Sequence, residues 1–539
     1  MAQHSSDHTA QENLKNIEDI LAELGVATDN LISETQDTTG NSINTFDSVD
    51  SVVQFPCVAH TNDLLLGNGV SSDHALDSAI DAIKKVLVRA RGNKSSKRCR
   101  LLSDKCKEAE IEAKAIYIPA PTRWGAKIAA VNCFEYLLPA FQLYTDQSLP
   151  SSNQEQVPFT QLLGSALIDL ELVQSAMPFM TLVHEWTMIL TCNTTPTIGL
   201  VLLMINRLDA ALEHLLSLSM TEGIAISLRE QIRRVHQSFK YQMSNYYGEE
   251  FRDFWMYKVG AFLDPRAFFA LNHVQDLPAV YEYLEHMCIE SEIESELQIY
   301  NKNNPTVADT LSRSNKRKAS SSTSASQERP QAKSSVRQAV EKVRGQSQIK
   351  SNVIPLLAEF DNYCDYMEKE VTSKAASGDI VDPLYFWAHD GTSDFPILAR
   401  IAGQVFAADA TSGETERIGS TGGIYYSPRR NKLKPATVKK MIFLHGCYLS
   451  ELAPSKRSIT AKKRVDHFIR KQSISCFNCR DGTDADFEEF LNSLCAWIYY
   501  DGEDEESSDD EVLDDSASID YEDSPDNSDT GSLNNDDDN

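Results

Sequence analysis

Two neighbouring carboxylates near the end of the chain lie beside an arginine and among small residues that let backbone come close, so one of them could be presented to a site. Glu414 and Glu416 lie beside Arg417 in the stretch ADATSGETERIGSTGG, which begins at Ala408. Thr411 and Glu414 match a capping box, so Glu414 is expected to bind backbone at a helix start. Glu416 is then the carboxylate free to face a site, and solvated charge at a capped helix is the alternative.

A further candidate ligand is Asp29. A helical pattern runs from Glu12 and stops at Gly25, a residue typical of helix ends. A brief apolar step then leads to Asp29 and Asn30. Because α/β folds place ligands and catalytic groups at the ends of strands, Asp29 is a candidate metal ligand. The alternative is that the Asp-Asn pair caps the next turn.

Two cysteine motifs have part of the spacing of a zinc site. Cys57 and His60 are three residues apart, which is half of a tetrahedral site without a matching pair nearby. Cys476 and Cys479 form a lone CxxC. A packed Cys with a hydrogen-bonded His, and unpaired thiols near a surface helix, are the alternatives.

Adjacent arginine and tryptophan residues suggest a nucleic-acid contact. Arg123 precedes Trp124, and a basic cluster contains Arg429 and Arg430. Arginine binds phosphate through two parallel hydrogen bonds, and tryptophan stacks on unpaired bases. A surface Arg beside a core Trp is equally consistent with the pattern.

The elements around these residues are predicted mainly from hydrophobic spacing. Apolar residues follow a helical period from Pro158 to Leu218, and an amphipathic stretch runs from about Ile224 to Tyr246. Pro178 and the residues from Thr194 to Thr197 are predicted to divide the first of these stretches into separate helices.

Charge is distributed unevenly along the 539 residues. Residues 501–539 contain 18 Asp and Glu and no Lys or Arg, so this tail accounts for −18 of the net −28 and leaves −10 for the rest. Residues 302–350 contain 11 basic and three acidic residues, a net charge of +8. Both segments are expected to be disordered. The stretch from Asn315 to Pro330 resembles a basic nuclear-import signal, which predicts a nuclear protein.

No membrane partner is expected. No apolar stretch follows Met1, and the longest apolar run, Ile198 to Ile205, is shorter than the roughly 20 residues that span a bilayer. Eleven cysteines without a regular spacing favour reduced thiols inside the cell.

Taken together in chain order, the motifs around Asp29, Cys57, Arg123 and Glu416 resemble those of the hobo/Activator/Tam (hAT) superfamily of DNA transposases and their domesticated relatives. The resemblance is strongest from Phe386 to Leu449, which looks like the family's C-terminal dimerisation region. Asp29 resembles the family's second catalytic Asp, Cys57 and His60 its C..H motif, and Arg123-Trp124 its RW pair. The segments Thr197–Leu216 and Gly260–Phe269 resemble parts of its helical insertion. The matching C-terminal positions are Trp387, Phe395, Pro396, Leu398, Ala399, Ala402, Ala410, Thr411, Ser412, Glu416, Arg417, Ser420, Gly423, Arg430, Leu433 and Leu444.

The resemblance implies an α/β fold, with an incomplete ribonuclease H-like core interrupted by a mainly helical insertion. The expected parts are residues 1–150 and 351–500 for the core, 151–300 for the insertion, 301–350 for the linker and 501–539 for the tail. In the family, an Asp/Asp/Glu triad binds two divalent metals during strand transfer. Asp29 and Glu416 would be the second and third members, with Mg²⁺ or Mn²⁺ as cofactor if the site is complete.

The first member of the triad has no counterpart before Asp29. Only 28 residues precede it, and they read as a helix, whereas the family places this Asp on an opening strand. We therefore expect a catalytically inactive, transposase-derived protein with vestigial ligands. The alternative is an active transposase whose N-terminal part is missing from this chain.

The remaining activity implied by the resemblance is homodimerisation, with DNA as a second partner. Hydrophobic burial would drive pairing through the C-terminal region. The residues predicted to contribute are Phe386, Trp387, Phe395, Pro396, Leu398, Ile442 and Phe443. DNA would be contacted by Arg123, Trp124, Arg429 and Arg430.

Overall fold

Helices dominate the part of the chain that the structure, a computed structural model, describes. The described residues are 10–23, 33–36, 52–91, 96–116, 124–144, 157–192, 195–218, 226–303, 354–371 and 381–413, together with 434, 437, 440, 441 and 444. Contacts divide the chain into Met1–Cys495 and Ala496–Asn539, and all described residues belong to the first unit.

The helices before the basic linker form the larger part of this unit. They are α1 (Ala10–Glu23), α2 (Val58–Ser71), α3 (His74–Arg91), α4 (Ser96–Glu108), α5 (Trp124–Gln142), α6 (Phe159–Ile168), α7 (Leu170–Leu190), α8 (Leu200–Leu218), α9 (Ile226–Tyr246), α10 (Glu249–Arg252), α11 (Trp255–Leu263) and α12 (His273–Asn303). A 3₁₀ turn, Phe268–Ala270, precedes α12.

The helices after the linker are shorter. They are α13 (Ile354–Tyr366), which continues into a π turn (Met367–Val371), α14 (Pro383–Ala388), α15 (Asp390–Asp394) and α16 (Pro396–Val405). Asp382 caps α14 by accepting hydrogen bonds from the N–H groups of Leu384 and Tyr385. Pro383 and Pro396 occupy first-turn positions of α14 and α16, where their fixed φ suits a helix start.

Strand structure in the described residues consists of two short parallel strands. β1 (Ser33–Gln36) pairs with β2 (Val53–Pro56), with Ser33 opposite Val53 and Gln36 opposite Pro56. A parallel pair with covering helices is compatible with the α/β class. The predicted ribonuclease H-like core is not confirmed, because the described strands form only this two-stranded sheet.

The helical pattern of the middle block is confirmed. On α8, every position of the predicted apolar face is buried, and α9 covers the predicted stretch that ends at Tyr246. The buried α8 positions are Val201, Ile205, Leu208, Leu212 and Leu215.

The prediction that Pro178 ends a helix is wrong, since Pro178 lies inside α7. A proline in a helix loses one backbone hydrogen bond and crowds the preceding turn. Here the neighbouring Met177, Phe179 and Met180 are buried, so tertiary packing outweighs that cost. The helices separate instead at Asp169, between α6 and α7, and again between α7 and α8, where the break around Thr194 to Thr197 was predicted.

No single helix in the described ranges is long and apolar enough to cross a membrane. Helices α6 and α7 would together be long and apolar enough, but they are bent by 61° relative to each other.

One hydrophobic core extends through the described residues from Phe55 to Ala410. It runs without a break across the predicted boundary at residue 150 and includes residues on both sides of the linker, so those boundaries stay predictions. A close approach at Gly199 helps α8 and α11 to meet, because a Cβ there would lie 2.5 Å from the carbonyl oxygen of Gly260.

Candidate functional site

The segment that leads to Glu416 is attached to the carboxyl ends of both strands. We call residues 408–413 the anchored segment. The Thr35 hydroxyl donates to the carbonyl of Asp409, and the Val58 N–H donates to the carbonyl of Ala410 at 3.0 Å. In α/β folds the carboxyl ends of strands are where ligands bind. The anchored segment therefore lies at the edge where the sequence predicted a site.

The anchored segment is also fixed from the helical block. The Ala410 N–H donates to the Thr197 hydroxyl at 3.2 Å, and the Thr411 hydroxyl donates to the carbonyl of Leu190 at 3.3 Å. Ala410 and Thr411 are buried. Asp29 and Glu416, the predicted carboxylates, lie outside the described residues, as does Glu414.

A buried ion pair stabilises the loop that contains Thr197. The Arg266 guanidinium bonds both carboxylate oxygens of Asp264, at 2.9 and 2.7 Å, and their side chains are 2% and 0% exposed. The same guanidinium donates to the Thr195 hydroxyl at 2.7 Å and to the carbonyl of Pro196 at 2.6 Å. Arg266 thus positions the anchored segment through this loop. Sequence reasoning noted these residues only as part of the resemblance.

The carboxylate of Glu34 is the titratable group on the described sheet. Burial raises the pKa of Glu34 to about 7, and a hydrogen bond from the Gln36 side chain opposes part of this shift. Gln36 also donates to the side chain of Gln54 on β2. Glu34 therefore changes charge near neutral pH at the strand edge beside the anchored segment.

Cys57 belongs to the junction between the strands and the anchored segment. It is fully buried, its N–H donates to the carbonyl of Gln36 at 2.6 Å, and its Sγ accepts the Ser412 N–H at 3.3 Å. His60 is half-buried on α2. Within the described ranges, no three His, Cys, Asp or Glu side chains come together as a metal site would require. Cys476 and Cys479 lie outside those ranges.

The predicted stacking residue Trp124 packs within the chain. Its ring lies beside Gly67 of α2, where an added Cβ would come within 3.2 Å of the indole nitrogen, and the Lys127 ammonium lies 3.7 Å from the ring centroid. Burial is the main cause that lowers the pKa of Lys127. This cation–π contact uses one ring face, which leaves less of the indole for a base. Arg123, Arg429 and Arg430 lie outside the described residues.

Four of the residues predicted for dimerisation are inside the core of a single chain. Phe386, Trp387, Phe395 and Leu398 are each at most 6% exposed, while Pro396 is exposed. Their role in dimerisation stays a prediction. Because these four side chains are buried, they would support the interface from beneath rather than contact the partner directly. Ile442 and Phe443 lie outside the described residues.

The buried rings of this region pack around Tyr363. The Tyr363 ring lies 5.0 Å from Phe262, 5.4 Å from Trp387 and 5.3 Å from Phe395, between centroids. The Trp387 Nε1–H and the Tyr363 hydroxyl both donate to the carbonyl of Leu263, at 2.8 and 3.3 Å. Such aromatic contacts stabilise beyond their buried area. They join α13, α14 and α16 to the end of α11.

The apolar residues that α14 presents to solvent are Leu384 and Tyr385. They are 49% and 62% exposed, and the Tyr385 ring stacks on His389 at 4.2 Å between centroids. Leu444 is 64% exposed. Adjacent exposed apolar side chains such as Leu384 and Tyr385 are typical of protein interfaces. Sequence periodicity did not separate these residues from their buried neighbours.

Glu359 was not predicted from the sequence. Its carboxylate accepts hydrogen bonds from the N–H groups of Ile397 and Leu398, with closest distances of 2.9 and 3.1 Å. These N–H groups belong to the first turn of α16 and have no partner within the helix. The pKa of Glu359 is raised overall, because burial outweighs the opposing effect of the two backbone hydrogen bonds. A carboxylate 38 residues from its partner leaves no local sequence signal.

Comparison with known families identifies the C-terminal part of the chain. Residues 362–447 match the model of the hAT family C-terminal dimerisation region. The matched range contains α14, α15, α16 and the anchored segment. No curated protein matches the chain.

Proposed function

We propose, from the premise that the chain is a hAT family transposase or a protein derived from one, that it functions by self-association through its C-terminal region. The observation that carries the proposal is the match of residues 362–447 to the family's dimerisation region. Leu384 and Tyr385 lie in that range and are exposed in the single chain. In a dimer, the Tyr385 ring and the Leu384 side chain would be covered by the partner.

The mass of the full chain in solution tests this proposal. We expect a dimer by size-exclusion chromatography with light scattering at micromolar concentration. Leu384→Asp with Tyr385→Asp should weaken pairing at least about tenfold, since aromatic anchors carry much of the free energy at interfaces. Tyr241→Asp is the control, because Tyr241 is 68% exposed but lies on α9, outside the matched range. A monomeric wild type, or dimers that resist the double change, would contradict the proposal.

We also propose that this chain alone does not catalyse DNA strand transfer. Two-metal chemistry needs a complete set of hard oxygen ligands around the reacting groups. The family resemblance assigns Asp29 and Glu416 to that set, and both would act as ligands of Mg²⁺ or Mn²⁺ only with a further carboxylate. We expect no nicking of supercoiled plasmid by the purified chain with either metal. Nicking that is lost in Glu416→Gln would establish the active transposase instead.

DNA binding is the second part of the proposal. Arg123, Arg429 and Arg430 would contact phosphates, and Trp124 would support them by holding Lys127. Binding of a labelled duplex should fall steeply between 50 and 200 mM salt, roughly as expected for a few phosphate contacts. Changing the three arginines to glutamine should remove most of this binding. A chain without residues 501–539 that ignores DNA at low salt would exclude it.

Nuclear localisation completes the proposal. The basic stretch from Asn315 to Pro330 would act as the import signal. A fluorescent fusion of the full chain is expected in the nucleus, and changing Lys316, Arg317 and Lys318 to glutamine should leave it in the cytoplasm.

A further inference from the structure

An aromatic-walled cavity lies beside strand β2, apart from the matched C-terminal region. Its volume is about 610 Å³, within the range of ligand pockets in proteins. Its walls are formed largely by the rings of Phe55, Tyr246, Phe251, Phe254 and Tyr257. Four of these rings are in contact through Tyr257, which lies 6.1 Å from Phe55, 4.9 Å from Phe251 and 5.1 Å from Phe254 between centroids. The cavity is therefore built from packed rings.

The charged residues that line the cavity are both acidic. Glu249 and Glu250 are exposed, and neither forms an ion pair with another described residue. The neighbouring cations bind elsewhere. Arg252 pairs with Asp209, and Lys258 pairs with Asp253 and Asp276. The cavity thus combines aromatic rings with two carboxylates that have no cationic partner among the described residues.

The ring of Tyr257 forms the most buried part of the cavity wall. Tyr257 is 1% exposed, and its hydroxyl has no hydrogen-bond partner in the described part of the chain. Tyr257 therefore closes the inner wall of the cavity, and the less buried rings of Tyr246, Phe251 and Phe254 are the ones that a ligand would meet.

We propose that this cavity binds a lysine or arginine side chain from a basic peptide segment of a partner protein. Cations are attracted to aromatic faces, and the apolar stems of these side chains pack on rings while their charged heads meet carboxylates. Phosphate groups are disfavoured by Glu249 and Glu250, so a nucleic acid does not fit. The proposal is independent of self-association, because the cavity residues lie outside residues 362–447.

Fluorescence anisotropy with a labelled peptide tests the proposal on the full chain. The probe is GSKRKGS in one-letter code, with GSQQQGS as the uncharged control, in 150 mM salt. We expect the first peptide to bind and the second to give no signal. Glu249→Gln with Glu250→Gln should weaken binding about tenfold. The matched control is Glu171→Gln with Glu282→Gln, which removes the same charge from exposed positions on α7 and α12 and should change nothing.

Residues 501–539 also attract cations, so a change that leaves the charge unaltered is needed. Phe254→Leu and Phe251→Leu should each weaken binding severalfold, and thermal unfolding checks that both variants fold. Equal binding by the wild type and both variants would overturn the proposal. So would binding that is seen only after residues 304–350 are deleted, because the chain's own basic segment would then be the occupant.

Discussion

The C-terminal helices and the opening strands are held in different ways. Helices α13, α14 and α16 are joined to α11 by buried rings around Tyr363 and by two hydrogen bonds to the carbonyl of Leu263. β1 and β2 are four residues each, and in the described chain they pair only with each other. Isolated two-stranded sheets are marginally stable without further packing.

The difference concerns how densely each of these two regions is packed within the described residues. The region with the family match is packed through several aromatic rings, while the strands are held by Phe55 in the core and by hydrogen bonds to the anchored segment. Retention of a self-association module does not need the strand edge to be rigid, whereas two-metal catalysis needs ligands held within fractions of an ångström. This contrast agrees with the proposed function.

The largest effect is expected where the two regions are connected. Arg266→Ala leaves the buried Asp264 carboxylate without its partner and releases Thr195 and Pro196. Breaking a buried ion pair in this way costs about 3–5 kcal/mol. Urea unfolding followed by circular dichroism should show this loss.

Arg233→Ala is the control for that prediction, since Arg233 pairs with Glu230 at the surface and should have no measurable effect. Removal of both buried charges, in Asp264→Ala with Arg266→Ala, should restore part of the lost stability. Similar unfolding curves for Arg266→Ala and Arg233→Ala would mean that the link between the two regions is not set by this pair.

A smaller effect is expected within the C-terminal region. Glu359→Ala removes the acceptor for the Ile397 and Leu398 N–H groups at the start of α16. Loss of such a cap costs about 1–2 kcal/mol. The same unfolding measurement checks it, with Asp365→Ala, an exposed position on α13, as the control. An unchanged midpoint for Glu359→Ala would indicate that ring packing alone orients α16.

The spacing of hydrophobic residues predicted the helices of the middle block far better than it predicted the contacts around the anchored segment. The faces of α8 and α9 were readable because their burial repeats every three to four residues, which one sequence records directly. The interior position of Pro178 was not readable, because the packing that tolerates it comes from other helices. The contacts of Arg266 with Thr195 and of Glu359 with Ile397 join residues far apart in the chain, so no local pattern encodes them.

The same reasoning applies to the predicted dimer residues. Composition correctly marked Phe386 and Trp387 as apolar, but it could not decide between the core of one chain and a surface shared by two. The exposed neighbours Leu384 and Tyr385 differ from them only in which side of a six-residue helix they occupy. A helix of six residues has fewer than two turns, so its hydrophobic spacing cannot distinguish a buried face from an exposed one.

The smallest effect is expected at the strands, and it depends on pH. Burial raises the pKa of Glu34 from 4.5 to about 7 in the folded chain, so the folded chain keeps a proton that the unfolded chain has released. The stability associated with this proton is complete below pH 4.5 and is lost as the pH rises through about 7. Glu34→Gln removes the titration and should be more stable than the wild type above pH 7.

The gain from Glu34→Gln should be about 1 kcal/mol at most, because the side chain is only half-buried and solvent screens it. Unfolding midpoints at pH 5 and pH 8 measure it, and Glu18→Gln on α1 is the exposed control. A difference between Glu34→Gln and the wild type that is equal at both pH values would show that Glu34 acts through packing rather than charge. A difference that grows with pH would show that the stability of the sheet depends on a titrating carboxylate, in contrast to the apolar ring packing around Tyr363.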